Sequence, residues 1–360
     1  MARCDALIVG GGPAGSTCAR VLTQAGWHVV VIDRASFPRD KVCAGWVTPG
    51  VFRLLDLDPE TYRAAGLTIQ PITGFRTSII GDRAVETRYG RTISYAIRRC
   101  EFDAFLLARS GADVREQMPL ESLERRGGEW VANGGISAPV VVGAGGHFCP
   151  VARILRGAAT DARPVVAKEA EFRLEDDDST ADGERPELFF CRDLEGYGWC
   201  VRKGRHLNIG LGRREHGDLN PHIDDFKAFL EQRGLARRAS LVKWHGHAYL
   251  ASGAGARPLI GDGIVLAGDA AGLAYPESGE GIKPAVESGR LAAETLIAAR
   301  GRSQADLQPY EDELRRRYPL SAPTPAVLAG ITRALGRILM RSPLFTRRVV
   351  IDRWFLRSRW

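Results

Sequence analysis

The sequence predicts an α/β chain in three parts: a Rossmann-like domain around a parallel sheet, an antiparallel-sheet domain interleaved with it, and a helical segment at the C-terminus. Three observations predict it. A strand, a glycine turn, a helix and a second strand follow one another within the first 33 residues. A further strand, Gly-Asp turn and long helix stand around residue 268. Between them run several short strands bounded by turn residues, the pattern of an antiparallel sheet.

The N-terminal element carries the most local information. Ala6 to Val9 is a short apolar run, long enough for one buried strand. Gly10, Gly12 and Gly15 form G-x-G-x-x-G, and Pro13 suits the first turn of a helix, where its missing N–H would be unpaired anyway. Residues 14–25 are helix-compatible and Gly26 ends the run. Val29 to Ile32 is a second buried strand, closing on Asp33, 18 residues past Gly15. A helix N-terminus offers free N–H groups and the positive end of a dipole, so it attracts a pyrophosphate. Glycine lets phosphates touch backbone and lets helix and strand pack closely, and an acid ending the second strand accepts ribose hydroxyls. With both strands and Asp33 in place, the pattern predicts a bound dinucleotide.

Composition narrows the class. The chain has 360 residues, enough for two domains, with 44% apolar and 26% charged content, ordinary for a globular protein. No apolar run approaches the ~18 residues of a membrane span, and the first residues enter a core strand directly, so neither a span nor a secretory leader is expected. Seven cysteines without a C-x-x-C pair argue against a disulfide framework or a metal site and for a reducing cytoplasm. The net charge of +7 resides in residues 331–360, which hold eight arginines against one acid, Asp352. The body is therefore neutral, and no nucleic-acid partner is expected. Residues 175–187, acidic and turn-rich, read as an exposed loop.

Later segments choose the dinucleotide. Residues 95–114 place Arg98 and Arg99 before a helix with apolar Phe102, Phe105 and Leu106. Residues 139–146 form another buried strand ending in glycines. A strand from Ile264 to Ala267 runs into Gly268-Asp269, and Gly279-Glu280-Gly281-Ile282 opens a long helix. A second helix N-terminus aimed at the same ligand suits a molecule with an extended polar chain between two ends, as FAD has. Asp269 can accept a ribityl hydroxyl, and the N–H groups around Gly281 and Ile282 can hold the N1–C2=O edge of a flavin.

The set of G-x-G-x-x-G, R-x-x-F-D at Arg99 to Asp103 and G-D-A-A-G at Gly268 to Gly272 resembles the flavoprotein superfamily of the para-hydroxybenzoate hydroxylase fold. Within it, residues 37–49, residues 275–282, and the Y-x-W followed by G-x-G (Tyr197, Trp199, Gly210, Gly212) are most similar to the geranylgeranyl reductase family. The resemblance spans residues 1 to about 300. It implies FAD contacts at Ala14, Asp33, Arg34, Cys43, Ala44, Arg99, Leu120, Asp269, Gly281 and Ile282, beside the turn glycines Gly10, Gly12, Gly15 and Gly268. Two departures stand out. Gly143-Ala144-Gly145-Gly146 lacks the acid that the superfamily often has there, so NADPH or a partner reductase remain alternative electron donors. Val201 and Arg202 stand where the reductases usually have Phe-Pro after Y-x-W.

The resemblance implies reduction of carbon–carbon double bonds in an isoprenoid or other apolar substrate. The alternatives are an FAD-dependent monooxygenase and, remotely, a non-catalytic prenyl-binding protein. A halogenase is disfavoured because no W-x-W-x-I-P sequence occurs. Cys43, in the loop that this fold runs beside the flavin ring, would donate a proton, tune the flavin or merely pack; Lys41 would lower its pKa if close. Tyr197 and Trp199 alternate on a strand and would wall an apolar substrate site. The expected division is residues 1–70, 96–160 and 256–320 for FAD, 71–95 and 161–255 for substrate, and 321–360 for a basic helical end. That end, with Arg333, Arg337 and Arg341 spaced by four, either lies on an anionic membrane surface or packs as a lid with its arginines paired.

Overall fold

The computed structural model describes residues 2–157, 164–175, 177–214, 218–251, 257–299, 301–319 and 335–357. The chain divides into two compact units, one of residues 1–40, 100–163 and 249–321, the other of residues 41–99, 164–248 and 322–360.

The first unit is built on a six-stranded sheet in the order Ile260–Gly261, Ile264–Leu266, Val141–Gly143, Ala6–Val9, Val29–Ile32, Asp113–Arg115. Every neighbouring pair is parallel except the first, which is a tight antiparallel turn. The central strands Ala6–Val9 and Val29–Ile32 are apolar and buried at every position because both faces are covered, as parallel sheets require. The helices Pro13–Gln24 and Ile282–Ala298 pack against each other through small residues. A Cβ added at Gly289 would lie 2.2 Å from the Ala14 carbonyl oxygen, and one at Gly268 would lie 3.1 Å from the Ala14 methyl group. Ala14 is therefore small for a packing reason as well. A second, four-stranded sheet (Ala2–Arg3, Ile136–Ala138, Glu129–Ala132, Leu123–Arg126) belongs to the same unit. The helix Gln304–Arg317 starts on a capping box of Ser303 and Asp306 and buries Leu307, Tyr310 and Leu314.

The second unit holds a seven-stranded sheet in the order His245–Tyr249, Val165–Arg173, His206–Arg213, Gly196–Lys203, Glu187–Phe190, Gly74–Ile79, Val85–Arg88. The three long middle strands are antiparallel, whereas Glu187–Phe190 and Gly74–Ile79 pair in parallel. One face is covered by the helix Asn220–Gln232, with Phe226, Ile223 and Leu230 buried against Phe189, Cys200 and Ile209. The other face carries Tyr197, Trp199, Phe190 and Leu188, over which pack a three-stranded sheet (Trp46–Val47, Ser94–Ile97, Ile69–Ile72) and the C-terminal residues. Residues 41–70, assigned by sequence to the cofactor part, are held in this unit by the pairing of Trp46–Val47 and Ile69–Ile72 with Ser94–Ile97.

Two sequence expectations meet a fuller picture. The described part of the acidic stretch 175–187 is anchored: Asp178 and Ala181 are buried, the Asp178 carboxylate accepts from the Glu175 N–H, and the Ser179 hydroxyl donates to the Leu235 carbonyl. Of the basic end, Leu328, Ile331, Arg333 and Trp360 lie outside the described residues. Pro343 opens a helical run capped by Ser342, and Thr346–Phe355 continues it as a π-helix. Val350, Ile351 and Phe355 are buried in the aromatic layer of the second unit, and Asp352 accepts a hydrogen bond from the Tyr89 hydroxyl. The Arg341 guanidinium pairs with Asp82 and that of Arg347 lies over the Tyr89 ring. Leu335, Ile338 and Leu344 are exposed. Among the described residues, no helix is long and apolar enough to cross a membrane.

Candidate functional site

In the first unit, the turn after the first strand is shaped by contacts that exclude side chains. A Cβ at Gly15 would lie 1.9 Å from the Gly10 carbonyl oxygen, and one at Gly10, whose φ is +112°, would lie 2.4 Å from the Ala144 carbonyl oxygen. These two glycines are packed against protein. Gly12 is different: among the described residues outside its own neighbours, the atom near its missing Cβ is Arg39 Nη2, at 3.5 Å. Gly12 is the N-cap of Pro13–Gln24, no side chain caps that end, and no acid stands in its first turn. The Ser16 hydroxyl donates toward the Gly11 and Gly12 carbonyls and so fixes the turn. The helix end is left with donors and positive potential and no anion of its own.

Arg39 adds a cation there. Its guanidinium lies over the Phe37 ring and pairs with the buried Asp103 at 3.2 Å, while its Nη1 is buried without a hydrogen-bond partner among the described residues. A guanidinium with an unused donor beside an uncapped helix start fits a diphosphate. The sequence reading missed Arg39, although it lies in the same 37–49 segment as Cys43 and is held by the Asp of R-x-x-F-D.

Asp33 ends its strand half-buried, and its two carboxylate oxygens accept the Gly11 N–H (2.7 Å) and the Ala35 N–H (2.9 Å). It thus braces the glycine turn while keeping lone pairs for hydroxyl donors. Arg34 beside it is exposed. Leu120 is half-buried against the first core, in a segment that the Met118 N–H fastens to the Asp33 carbonyl. On the other helix, the Asp269 carboxylate lies 3.0 Å from where a Cβ of Gly281 would be, at the N-terminus that begins with Ile282. The Gly268 N–H donates to the Ser288 hydroxyl, which locks the Gly-Asp turn to that helix. Gly10, Gly12, Ala14, Gly15, Asp33, Gly268, Asp269, Gly281 and Ile282 therefore occupy one unit, on two helix starts joined by the Ala14–Gly268 contact. Gly145, in the place of the superfamily's acid, would bring a Cβ within 3.3 Å of Cys149 Sγ, so a larger side chain is opposed by the buried Cys149.

In the second unit, the Y-x-W and G-x-G motifs form one construction. Register places Tyr197 opposite Gly212 and Trp199 opposite Gly210, and residues opposite one another share a face. A Cβ at Gly210 would lie 2.2 Å from the Trp199 ring. The glycines thus let the indole lie across the sheet. The indole N–H donates to Asn208 Oδ1 at 2.7 Å, and Asn208 Nδ2 donates to the Cys43 carbonyl at 3.4 Å. Trp199 is buried and Tyr197 half-buried, and Phe355 packs edge-on against Tyr197 and stacks on Trp46.

The segment bearing Cys43 and Ala44 is pinned at several points of this unit. Lys41 Nζ lies 2.6 Å from His247 Nε2, the Ile97 N–H donates to the Gly45 carbonyl, and Lys203 lies against Gly45. Lys41 is therefore turned to His247. Cys43 is half-buried and its Sγ accepts the Gly45 N–H at 3.4 Å. Arg99 is buried at the start of the helix Arg99–Ala108, where the two units meet in sequence. Beneath Cys43 lies a charged layer: Lys203, fully buried, pairs with Glu171, which also pairs with Arg98 at 2.8 Å. Burial pushes Glu171 up, but Lys203 and Arg98 outweigh it and hold the carboxyl below its ordinary range. Asn208, Glu169, Glu171 and Lys203 were not singled out by sequence. Asn208 stands two residues before Gly210, and that spacing alone could have placed it on the face of Trp199.

Known proteins resemble this chain in sequence and in fold. A family model described as an FAD binding domain matches residues 3–59. A geranylgeranyl diphosphate reductase of Rhodobacter capsulatus is 30% identical over 312 residues, 82% of this chain and 75% of that protein. A digeranylgeranylglycerophospholipid reductase of Methanoculleus marisnigri is 31% identical over 344 residues, 86% and 81% of the two chains. Among solved structures, a geranylgeranyl bacteriochlorophyll reductase-like protein from Thermoplasma acidophilum superposes with a TM-score of 0.74 at 21% identity, covering 100% of this chain and 92% of that one. A flavin-dependent brominase shares the fold at a TM-score of 0.70 and 18% identity, covering 99% and 92%. The FAD-binding match and the reductase relatives together place the chain among the FAD-dependent oxidoreductases. Within that class, the chain belongs to the geranylgeranyl reductase family.

Proposed function

We propose that the protein reduces carbon–carbon double bonds of an isoprenoid or similarly apolar, lipid-like substrate. The observation that carries this reading is the Trp199–Asn208–Cys43 connection. It ties an apolar aromatic wall to the one half-buried cysteine of the 37–49 motif. Bound FAD, once reduced, supplies the hydride. The chain's own groups do the rest. The uncapped helix start at Gly12 to Gly15, with Arg39, would hold the pyrophosphate; Asp33 would hold a ribose, and the Leu120 backbone would contact the adenine. Asp269, with the helix start at Gly281 and Ile282, would hold the ribityl chain and the polar edge of the ring. Arg34, Ala44 and Arg99 are further contacts by position. Tyr197 and Trp199 orient the alkene and exclude water, and the Cys43 thiol offers a proton to the second alkene carbon. NADPH or a partner reductase provides the electrons, with slow direct use of NADPH expected from Gly145. The exposed Leu335, Ile338 and Leu344, beside Arg337 and Arg341, provide a surface for contact with anionic lipid.

The test is product mass. Protein reduced with dithionite is incubated with geranylgeranyl diphosphate and with the free alcohol. A gain of two hydrogens per turnover supports the reading, and a gain of one oxygen in the presence of air replaces it with a monooxygenase.

A further inference from the structure

The Asn208 amide is held at both ends by groups that each tolerate one orientation. Asn208 is fully buried on the strand His206–Arg213, and register sets Glu171 directly opposite it. Its Oδ1 accepts the Trp199 indole N–H at 2.7 Å. Its Nδ2 donates to Glu171 Oε2 at 3.3 Å and to the Cys43 carbonyl at 3.4 Å. The two ends of an asparagine amide have nearly the same shape, so sterics alone would let the side chain turn over. Hydrogen bonding forbids it here. An indole N–H only donates and a carboxylate only accepts, so a turned amide would set donor against donor and acceptor against acceptor. Each mismatch would leave a polar group unmet in a buried place, where that is costly.

Glu171 can make this demand because it is itself fixed. Arg98 Nε donates to its Oε1 at 2.8 Å, and the fully buried Lys203 donates through Nζ to its Oε2 at 2.6 Å. Two cations hold it as a carboxylate, and therefore as an acceptor. The same lysine lies against the cysteine segment. A Cβ at Gly45, whose φ is +64°, would come within 2.5 Å of Lys203 Nζ, so the chain after Cys43 passes directly beside the charged pair.

We propose that Glu171 and Asn208 are positioning residues for Cys43: the carboxylate fixes the amide, and the amide fixes the Cys43 carbonyl. Glu171 acts through Asn208 and needs no contact with substrate. Trp199 and Cys43 are then not placed independently, because both take their position from one side chain in one orientation. The aromatic wall and the cysteine backbone keep their relation as long as that orientation is kept.

The consequence for alkene reduction rests on the role given to Cys43 above, whereas the positioning does not, so the experiment is made without substrate. Full-length holoprotein is labelled with 13C at cysteine carbonyls and 15N at alanine, so that only Cys-Ala peptides give a carbonyl–amide cross-peak. The sequence holds two, Cys18-Ala19 and Cys43-Ala44. The first lies in the helix Pro13–Gln24 of the first unit and serves as internal reference. A hydrogen bond to a carbonyl moves its 13C resonance downfield. Asn208→Ala is therefore expected to move the Cys43 resonance upfield and to leave that of Cys18 in place. Glu171→Gln, whose amide can present either end, is expected to move Cys43 in the same direction by less, and to add nothing once Asn208 is alanine. Trp199→Phe, which removes the demand at the other end of the amide, is expected to behave as Glu171→Gln does. A Cys43 resonance unmoved by Asn208→Ala overturns the proposal, and so does a Glu171→Gln shift that persists undiminished in the Asn208→Ala background. Should Asn208→Ala fail to fold, Asn208→Asp, which keeps an acceptor for Trp199 and loses the donor, takes its place with the same expected shift. Should Glu171→Gln leave Lys203 unpaired and fail to fold, Trp199→Phe decides. A Cys43 carbonyl that responds as expected in a protein that reduces no alkene refutes the reductase reading and leaves the positioning standing.

Discussion

The two units reach their sites by different means. In the first, the cradle is made of backbone: close approaches at Gly10 and Gly15, an uncapped helix start at Gly12, and a second helix start at Gly281. In the second, the site face is made of side chains laid across a sheet, with Gly210 and Gly212 as clearances for Trp199 and a polar link from Asn208 to Cys43. The first is a local construction that any substrate's enzyme could share. The second depends on register between strands far apart in sequence, and there the chemistry of this chain is decided. The fold's recurrence in a brominase at 18% identity is consistent with that division.

Substitutions in one unit should leave the other's function intact, and the largest expected effect is in the cradle. Gly15→Ala puts a methyl group 1.9 Å from the Gly10 carbonyl. It is expected to cost about 3 kcal/mol or more and to abolish retained FAD, checked by the ratio of flavin absorbance to protein after purification. Phe355→Ala is the counterpart in the second unit. Removing a buried ring that stacks on Trp46 and packs on Tyr197 should cost about 3–5 kcal/mol by chemical denaturation, with FAD still bound. Flavin loss in Phe355→Ala would break the comparison.

Next in size is a pH effect confined to the second unit. Glu169 has a folded-state pKa raised from 4.5 to about 7, so the native state holds a proton that the unfolded chain has released. Its contribution is fully present below pH 4.5 and lost as pH rises through 7, at most about 3 kcal/mol. Urea unfolding at pH 5.5 and 8.5 should therefore show lower stability at the higher pH, and Glu169→Gln should remove that difference. A smaller effect is expected of Gly210→Ala, whose methyl group would meet the Trp199 ring at 2.2 Å. Overpacking of about 1–3 kcal/mol should displace the indole, lowering kcat/KM at least roughly tenfold at unchanged FAD content. The smallest is surface binding. Each arginine at an anionic surface contributes about 1 kcal/mol, so sedimentation with anionic vesicles should be seen at low salt and fall at high salt. Its absence at low salt would remove the lipid-contact proposal.

How much of this was legible in the sequence follows the same division. Gly10, Gly12, Gly15 and Asp33 sit within one strand–turn–helix–strand, so their spacing encodes their geometry, and the helices and strands around them lie where the periodicity puts them. Gly268, Asp269 and Gly281 were legible for the same reason. Arg39 was not, because its importance comes from Asp103, 64 residues away, and from the bare helix end beneath it. Glu169, Asn208 and Lys203 were hidden in strands whose alternation gives a face but not a partner; the partner follows from register. The affinity of residues 41–70 for the second unit was hidden likewise, because it rests on pairing with Ser94–Ile97. The described part of the basic end, read as lid or membrane surface, turns its apolar Val350, Ile351 and Phe355 inward and spends Arg341 on Asp82.

The central claim is that reduced flavin in this protein is spent on an alkene. The most direct measurement is anaerobic. The holoprotein is reduced with one equivalent of dithionite, freed of excess, and mixed in a stopped-flow instrument with geranylgeranyl diphosphate while flavin absorbance is followed. The account predicts that oxidised-flavin absorbance returns without oxygen, in proportion to substrate, and that the product is heavier by two hydrogens. Flavin that stays reduced with every prenyl substrate and reoxidises only when oxygen is admitted would contradict it.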